Sequence, residues 1–275
     1  MRFSAGEAAF EGFRVTRHHP AALAAWVGVC ILTLIAMAAT ATPVLAPAFD
    51  EFRASVISGG APSLELQARL LQAMVVVVPL NLVSQAILLP ALYRAMASDG
   101  ADRFGFLRLG RDELRVLGVL AILLFISIVL GQAGALLHGL VSMVGLGIVG
   151  GAIEVAIMLL SIYVSVRLVL QAPASYATGS IDIAASWRST KGLFWPLLGL
   201  AIMAGVMAIV VALLLSIVAL PLSELAGGFT EVSPVTVAAG FGLLIVGATA
   251  MAMSATIVSA PFMAVYRELS SDAKA

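Results

Sequence analysis

The chain has 275 residues, 61% hydrophobic and 11% charged, with a formal net charge of zero. Soluble domains carry about 25% charged residues, so a water-soluble globular fold is excluded. The single cysteine, Cys30, lies inside an apolar run, which rules out an internal disulfide and a cysteine metal site.

A helix needs about 20 apolar residues to cross ~30 Å of hydrocarbon. Six runs meet that requirement, at 21–45, 70–92, 114–137, 148–170, 194–222 and 235–265. They predict six transmembrane helices.

Ahead of the first run, Phe3, Phe10 and Phe13 fall on one helical face beside Arg14 and Arg17. That spacing predicts a short interfacial helix. Glu7 and Glu11, and an apolar run longer than a signal core, argue against a cleaved leader. Pro20 suits the first turn of the first span. The longest polar connection follows, about 46–67, where Phe49, Phe52 and Val56 predict a turn of surface helix and residues 58–62 a flexible turn.

The second span contains Pro79, Asn81 and Gln85 and ends near Pro90 and Tyr93. A charged stretch leads to the third span, which has Gln132 near its far end and His138 at the turn. The fourth enters through Gly145, Gly147, Gly150 and Gly151, carries Glu154 and exits past Arg167. Gly147 and Gly151 predict a close helix contact. A polar segment with Trp187, Arg188 and Lys191 precedes the fifth span, and the sixth closes with Pro261, Tyr266 and Arg267.

Of the fifteen basic residues, only Arg53 and Arg69 fall in the loops on one side; thirteen belong to the other. The excess of Lys and Arg marks cytoplasmic loops, so both termini of this multi-pass membrane protein are expected in the cytoplasm.

An internal repeat emerges when the sequence is shifted by 94 residues and then by 80. Phe13, Leu107 and Trp187 coincide, as do Arg14, Arg108 and Arg188, and Arg17, Arg111 and Lys191. The helix exits also match at Pro90 and Tyr93, Pro173 and Tyr176, and, with two extra residues, Pro261 and Tyr266. Aromatic rings settle at the headgroup level and bases meet lipid phosphates. The expected fold is all-α and integral to the membrane: a single domain, 1–275, of three hairpins at 1–99, 100–179 and 180–275. Each hairpin is preceded by a short amphipathic interfacial helix.

The segment with Arg167, Pro173, Ala185-Ser186-Trp187-Arg188 and Gly192-Leu193-Phe194-Trp195 resembles the bacterial six-span family known as the glycerophosphodiester phosphodiesterase membrane domain. Arg111-Asp112-Glu113-Leu114-Arg115, and the start with Arg17-His18-His19-Pro20, look like the equivalent regions of such proteins. The resemblance implies a six-helix, multi-pass domain of the bacterial inner membrane, which some relatives fuse to a catalytic barrel. No His–Arg pair with metal-binding acids is visible in this sequence, so phosphodiesterase activity is not implied, and no catalytic or binding residue carries over.

Among residues that carry chemistry, Glu154 stands out, because an ionisable group at membrane depth is a functional candidate by default. Its expected partners are Gln132, His138 or Gln85. Asn81 and Gln85, four residues apart, share a helix face. Arg167 is expected to snorkel to the headgroups. Arg14, Arg17, Arg108, Arg111, Arg167, Trp187, Arg188 and Lys191 form the candidate headgroup-contacting set. No nucleophile elbow, phosphate loop or metal-binding histidine motif is present. No catalytic residue, metal or cofactor is expected. The leading expectation is a non-enzymatic module that interacts with membrane lipids, a protein partner or a second copy, and not with nucleic acid. The alternative is a transporter or channel-like protein using Glu154, Gln132, Gln85 and Asn81.

Overall fold

The computed structural model describes residues 5–60, 63–98, 100, 102, 104–226 and 233–272. Phe3, Ala61, Pro62, Arg103 and Glu231 lie outside them. The described residues form an all-helical fold. Two short helices, α1 (Ala5–Ala9) and α2 (Glu11–His18), lead into α3 (Pro20–Leu45), which starts on Pro20 as its first turn. A 3-10 turn, Ala46–Ala48, opens α4 (Phe49–Ser58), which ends on left-handed Gly59. Then follow α5 (Leu64–Ala97), α6 (Arg111–Met143), α7 (Gly147–Leu168), α8 (Gln171–Thr178), α9 (Ile183–Ser189), α10 (Phe194–Leu225) and α11 (Pro234–Asp272).

Six of these segments are long and apolar enough to cross a membrane, and each contains one of the six predicted runs. In α5 and α6 the helix extends several residues past the predicted ends. Helices α3 and α10 carry no acid or base between their terminal turns, as burial in hydrocarbon demands; those of α6 (Arg111, Asp112, Glu113, Arg115 and His138) and α11 (Arg267, Glu268 and Asp272) lie towards the helix ends.

The prolines at the helix exits do not end the helices. Helix α5 continues past Pro90 to Ala97, and α11 continues past Pro261 to Asp272. Pro173 is the one beside a break. Its ring opposes the carbonyl of the residue four back, which is Val169, and the helix is interrupted at Val169 and Leu170.

Helix pairs α3–α5, α6–α7 and α10–α11 pack side by side, and α11 also lies against α3 and α2. Hydrogen bonds between elements place the start of α3, α6 and α10 and the end of α5, α7 and α11 together. Trp26 Nε1 donates to the Gly105 carbonyl at 2.8 Å, Arg267 Nη1 to the Met96 carbonyl at 2.8 Å, and Arg167 Nη2 to the Trp187 carbonyl at 2.5 Å.

The buried core sits towards this shared end. One cluster joins Trp26, Leu92, Tyr93, Val116, Ala252 and Met263, and a second joins Val166, Leu170, Leu197, Leu200, Phe262 and Val265. The opposite halves of the spans expose Leu32, Leu71, Leu136, Ile148, Leu213 and Phe241. Such side chains are solvated by lipid tails as well as by protein.

The segments that precede the three hairpins differ. Helix α2 packs on α11 through Gly12 and Val15, both buried. A Cβ on Gly12 would lie 2.6 Å from the Ile257 Cα, so glycine alone allows this approach. Helix α9 bridges the end of α7 and the start of α10. In the middle copy, residues 104–110 are turns, not a helix. Of the three exit tyrosines, Tyr93 and Tyr176 meet with tilted rings 5.4 Å apart, and Tyr176 and Tyr266 each pack against the same core cluster.

Candidate functional site

At the packed end, the turn between α5 and α6 is pinned from both sides. Gly105 and Phe106 adopt positive φ, 62° and 61°. A Cβ on Gly105 would lie 2.8 Å from the Ala25 Cβ and 3.0 Å from the Ala22 Cα, so this turn presses directly onto α3. Buried Trp26 secures it through the Gly105 carbonyl, and the His19 ring meets Phe106 edge-on at 5.6 Å. Arg94 donates to the Phe106 carbonyl at 2.9 Å and to the Glu113 carboxylate. The other Glu113 oxygen accepts from the Gly110 amide at 2.9 Å, the N-terminal capping arrangement of α6. Asp112 in turn pairs with Arg115 at 2.7 Å.

A second set ties α7 to α9. The Arg167 guanidinium lies 4.7 Å from the centroid of the Trp187 ring, and the Thr190 hydroxyl donates to the Arg167 carbonyl at 2.9 Å. Tyr163 meets Trp187 edge-on at 5.9 Å. Arg167 is only 5% exposed, so it does not snorkel. The fold draws its planar cation onto an aromatic face, a contact available to Arg and strengthened by desolvation. Arg167 Nε, the Gln171 amide and Ser175 Oγ follow at four-residue spacing, buried and without a hydrogen-bond partner.

The rest of the basic, aromatic set points outward. Arg14, Arg17, Arg108, Arg111, Trp187, Arg188 and Lys191 are all exposed. Arg14 pairs with Glu11 at 2.9 Å, whereas Arg108 and Arg188 reach Asp102 and Asp182 only at 3.9 Å. Among the described residues, Arg17, Arg111 and Lys191 make no ion pair.

The intramembrane polar residues do not form a single cluster. Glu154 Oε2 lies 3.3 Å from His138 Nδ1, but the nitrogen has no hydrogen-bond geometry to it. Of the three expected partners, His138 is the one met. Gln132 is exposed on α6, and Asn81 and Gln85 are half-buried on α5. Glu154 is seven residues into α7, about 10 Å from its start at 1.5 Å per residue. It therefore lies near the end of the bundle away from the packed core.

The close contact between α6 and α7 is made by Gly134 and Gly150, not by Gly147 and Gly151. Cβ atoms at Gly147 and Gly151 would meet nothing within 4 Å. At Gly150 a Cβ would come within 3.1 Å of the His138 carbonyl, and at Gly134 within 3.3 Å of Ile157. Helical phase explains the difference: Gly150 is one residue, about 100°, off the predicted face.

Two hollows follow the α6–α7 seam. One, of about 240 Å³, lies between this hairpin and α5 and α11, walled by Leu89, Leu123, Leu130, Leu168 and Phe262 among others. The second, of about 460 Å³, is lined by Gly131, Gly134, Ala135, Glu154, Val155 and Met158. Ser161 borders both. Its hydroxyl donates to the Ile157 carbonyl, and that of Ser127 to the Leu123 carbonyl, each at 2.9 Å. With their protons bound inside the helices, these serines leave the seam mostly apolar.

Among the described residues no group of three or more His, Cys, Asp or Glu side chains could hold a metal ion. Comparison with protein families, curated proteins and solved structures finds no match to this chain.

Proposed function

We propose that this polytopic membrane protein is a non-enzymatic module of the bacterial inner membrane that interacts with lipids through its basic, aromatic end. One observation carries the reading. Among the described residues, Arg17, Arg111 and Lys191 stand exposed at the shared end of the spans without an ion-pair partner, and Trp187 is exposed at the same end. Each such base is worth about 1 kcal/mol against an anionic leaflet. The bias of basic residues puts this end, and both termini, in the cytoplasm. The resemblance to the six-span glycerophosphodiester phosphodiesterase membrane domain agrees with a membrane role. A protein partner or a second copy on the same end belongs to the same reading.

The transporter alternative gains less support. Glu154 sits beside His138 in an apolar seam, while Asn81 and Gln85 border neither of the two hollows.

Native mass spectrometry of the full chain, purified in mild detergent, tests the proposal. The protein should retain anionic phospholipids, and the triple change Arg17→Gln, Arg111→Gln, Lys191→Gln should strip most of them. Retention unchanged by the triple variant would overturn it. Solute uptake by proteoliposomes that stops on Glu154→Gln would establish transport instead.

A further inference from the structure

The seam between α6 and α7 has a shape and a polarity that single out an occupant. Its lining recurs at helical spacing, Ser127, Leu130 and Gly134 on α6 and Met158, Ser161 and Ser165 on α7. Residues three and four apart share a helix face, so the two hollows that meet at Ser161 form one groove along the hairpin. The groove is apolar along its walls, its serines Ser127 and Ser161 are bonded to their own helices, and it runs at membrane depth. The surrounding solvent there is acyl chain, not water.

The groove also has a chemically distinct end. Glu154 lines the outer hollow with its side chain 63% exposed. Its neighbour His138 does not complete a hydrogen bond to it, and among the described residues no Lys or Arg pairs with it. At Gly131, on the facing wall, a Cβ would meet nothing within 4 Å, which leaves room beside the carboxylate.

We propose that the α6–α7 seam binds one phospholipid with a primary-amine headgroup, an acyl chain lying along Ser161 and the ammonium paired with Glu154. This inference rests on the lipid-interacting reading above but assigns a different site, at the opposite end of the spans from the exposed bases. A hydrocarbon chain fills the apolar length without leaving a polar group unpaired. An ammonium supplies charged donors that an exposed carboxylate accepts and balances the headgroup phosphate, whereas a phosphoglycerol headgroup offers only neutral hydroxyl donors and keeps a net negative charge.

The test exposes the purified full chain carrying Arg17→Gln, Arg111→Gln and Lys191→Gln, which removes the anionic-lipid site, to equal amounts of ethanolamine and glycerol phospholipids and measures retained lipid by native mass spectrometry. With the basic end so neutralised, the protein should favour the ethanolamine lipid by about two- to fivefold, the range of an exposed ion pair. Glu154→Gln should still hold lipid but with the preference reduced to about onefold, the value for equal affinity. Ser161→Trp should block the groove and lose the retained ethanolamine lipid. Gly131→Leu, which projects into open space, does the same in the outer hollow if the tryptophan variant fails to fold. A preference that survives Glu154→Gln, or a bound ethanolamine lipid indifferent to a groove-filling variant, overturns the assignment. Loss of anionic lipid in the triple basic variant, measured in the same preparation, shows independently whether the lipid-interacting reading stands.

Discussion

The Arg94 guanidinium and the Glu113 carboxylate form an ion pair that joins the end of α5 to the start of α6. Their side chains are only 13% and 7% exposed. Each partner is also bound by the turn between them, Arg94 to the Phe106 carbonyl and Glu113 to the Gly110 amide. The pair thus closes a loop of polar contacts around a turn that Trp26 holds against α3.

Removing one partner strands a buried charge, which costs about 3–5 kcal/mol, whereas replacing both can be nearly neutral. Glu113→Ala and Arg94→Met should each lower the thermal unfolding midpoint of the detergent-purified protein markedly. The double change Arg94→Met, Glu113→Leu should recover much of the loss. Additive losses in the double variant would show that the two side chains act separately.

The glycines divide into two groups that stability measurements can separate. Gly12→Ala forces a Cβ against the Ile257 backbone, and Gly105→Ala forces one against α3 at a positive φ. Overpacking of this kind costs about 1–3 kcal/mol, with the left-handed backbone adding to it at Gly105. Gly151→Ala meets nothing and replaces glycine inside a helix, a change worth about 0.5–1 kcal/mol of added stability. Unfolding midpoints should therefore fall for the first two and rise slightly for the third.

Arg167 should not tolerate lysine. The ring contact with Trp187 and the bond to the Trp187 carbonyl use a planar fork that an ammonium cannot reproduce. Loss of a desolvated cation–ring contact costs about 2 kcal/mol. Arg167→Lys should lower the unfolding midpoint and shift Trp187 emission, read in a variant in which Trp26 and Trp195 are phenylalanine. Arg188→Lys, at an exposed side chain 3.9 Å from Asp182, should do neither.

Topology is open to a direct check. Ser58 ends α4 and Ser98 follows α5, at opposite ends of one span. A membrane-impermeant thiol reagent should label Ser58→Cys in intact cells and leave Ser98→Cys unlabelled until the membrane is opened, with buried Cys30 unreactive in both. Labelling of Ser98→Cys alone in intact cells would invert the orientation.

The repeat of aromatic and basic residues was legible as a pattern, but its copies have different structures. Phe13 and Trp187 lie on helices, whereas Leu107 lies in irregular chain just after a turn. The turn presses on α3 through Gly105 at positive φ, whereas α2 meets α11 through helical Gly12. Arg94, Glu113 and Trp26 were visible as residue types, yet nothing local to them showed that they would meet. Asp112 and Glu113 in the first turn of α6 are the local signal for a helix start there, and Glu113 caps it through the Gly110 amide.

By itself, the sequence determined the number, approximate bounds and order of the membrane helices. Span length is a local quantity, set by the thickness of the hydrocarbon and the need to satisfy every backbone group within one segment. The tertiary structure decided the rest: that Gly134 and Gly150 carry the α6–α7 contact, that Glu154 meets His138, that Arg167 is buried on Trp187. Each of these depends on how a helix is rotated about its axis. Helices such as α6 and α10 are apolar all round along their length. A helix without an apolar stripe does not reveal which face turns inward, so only packing against its neighbours sets the rotation.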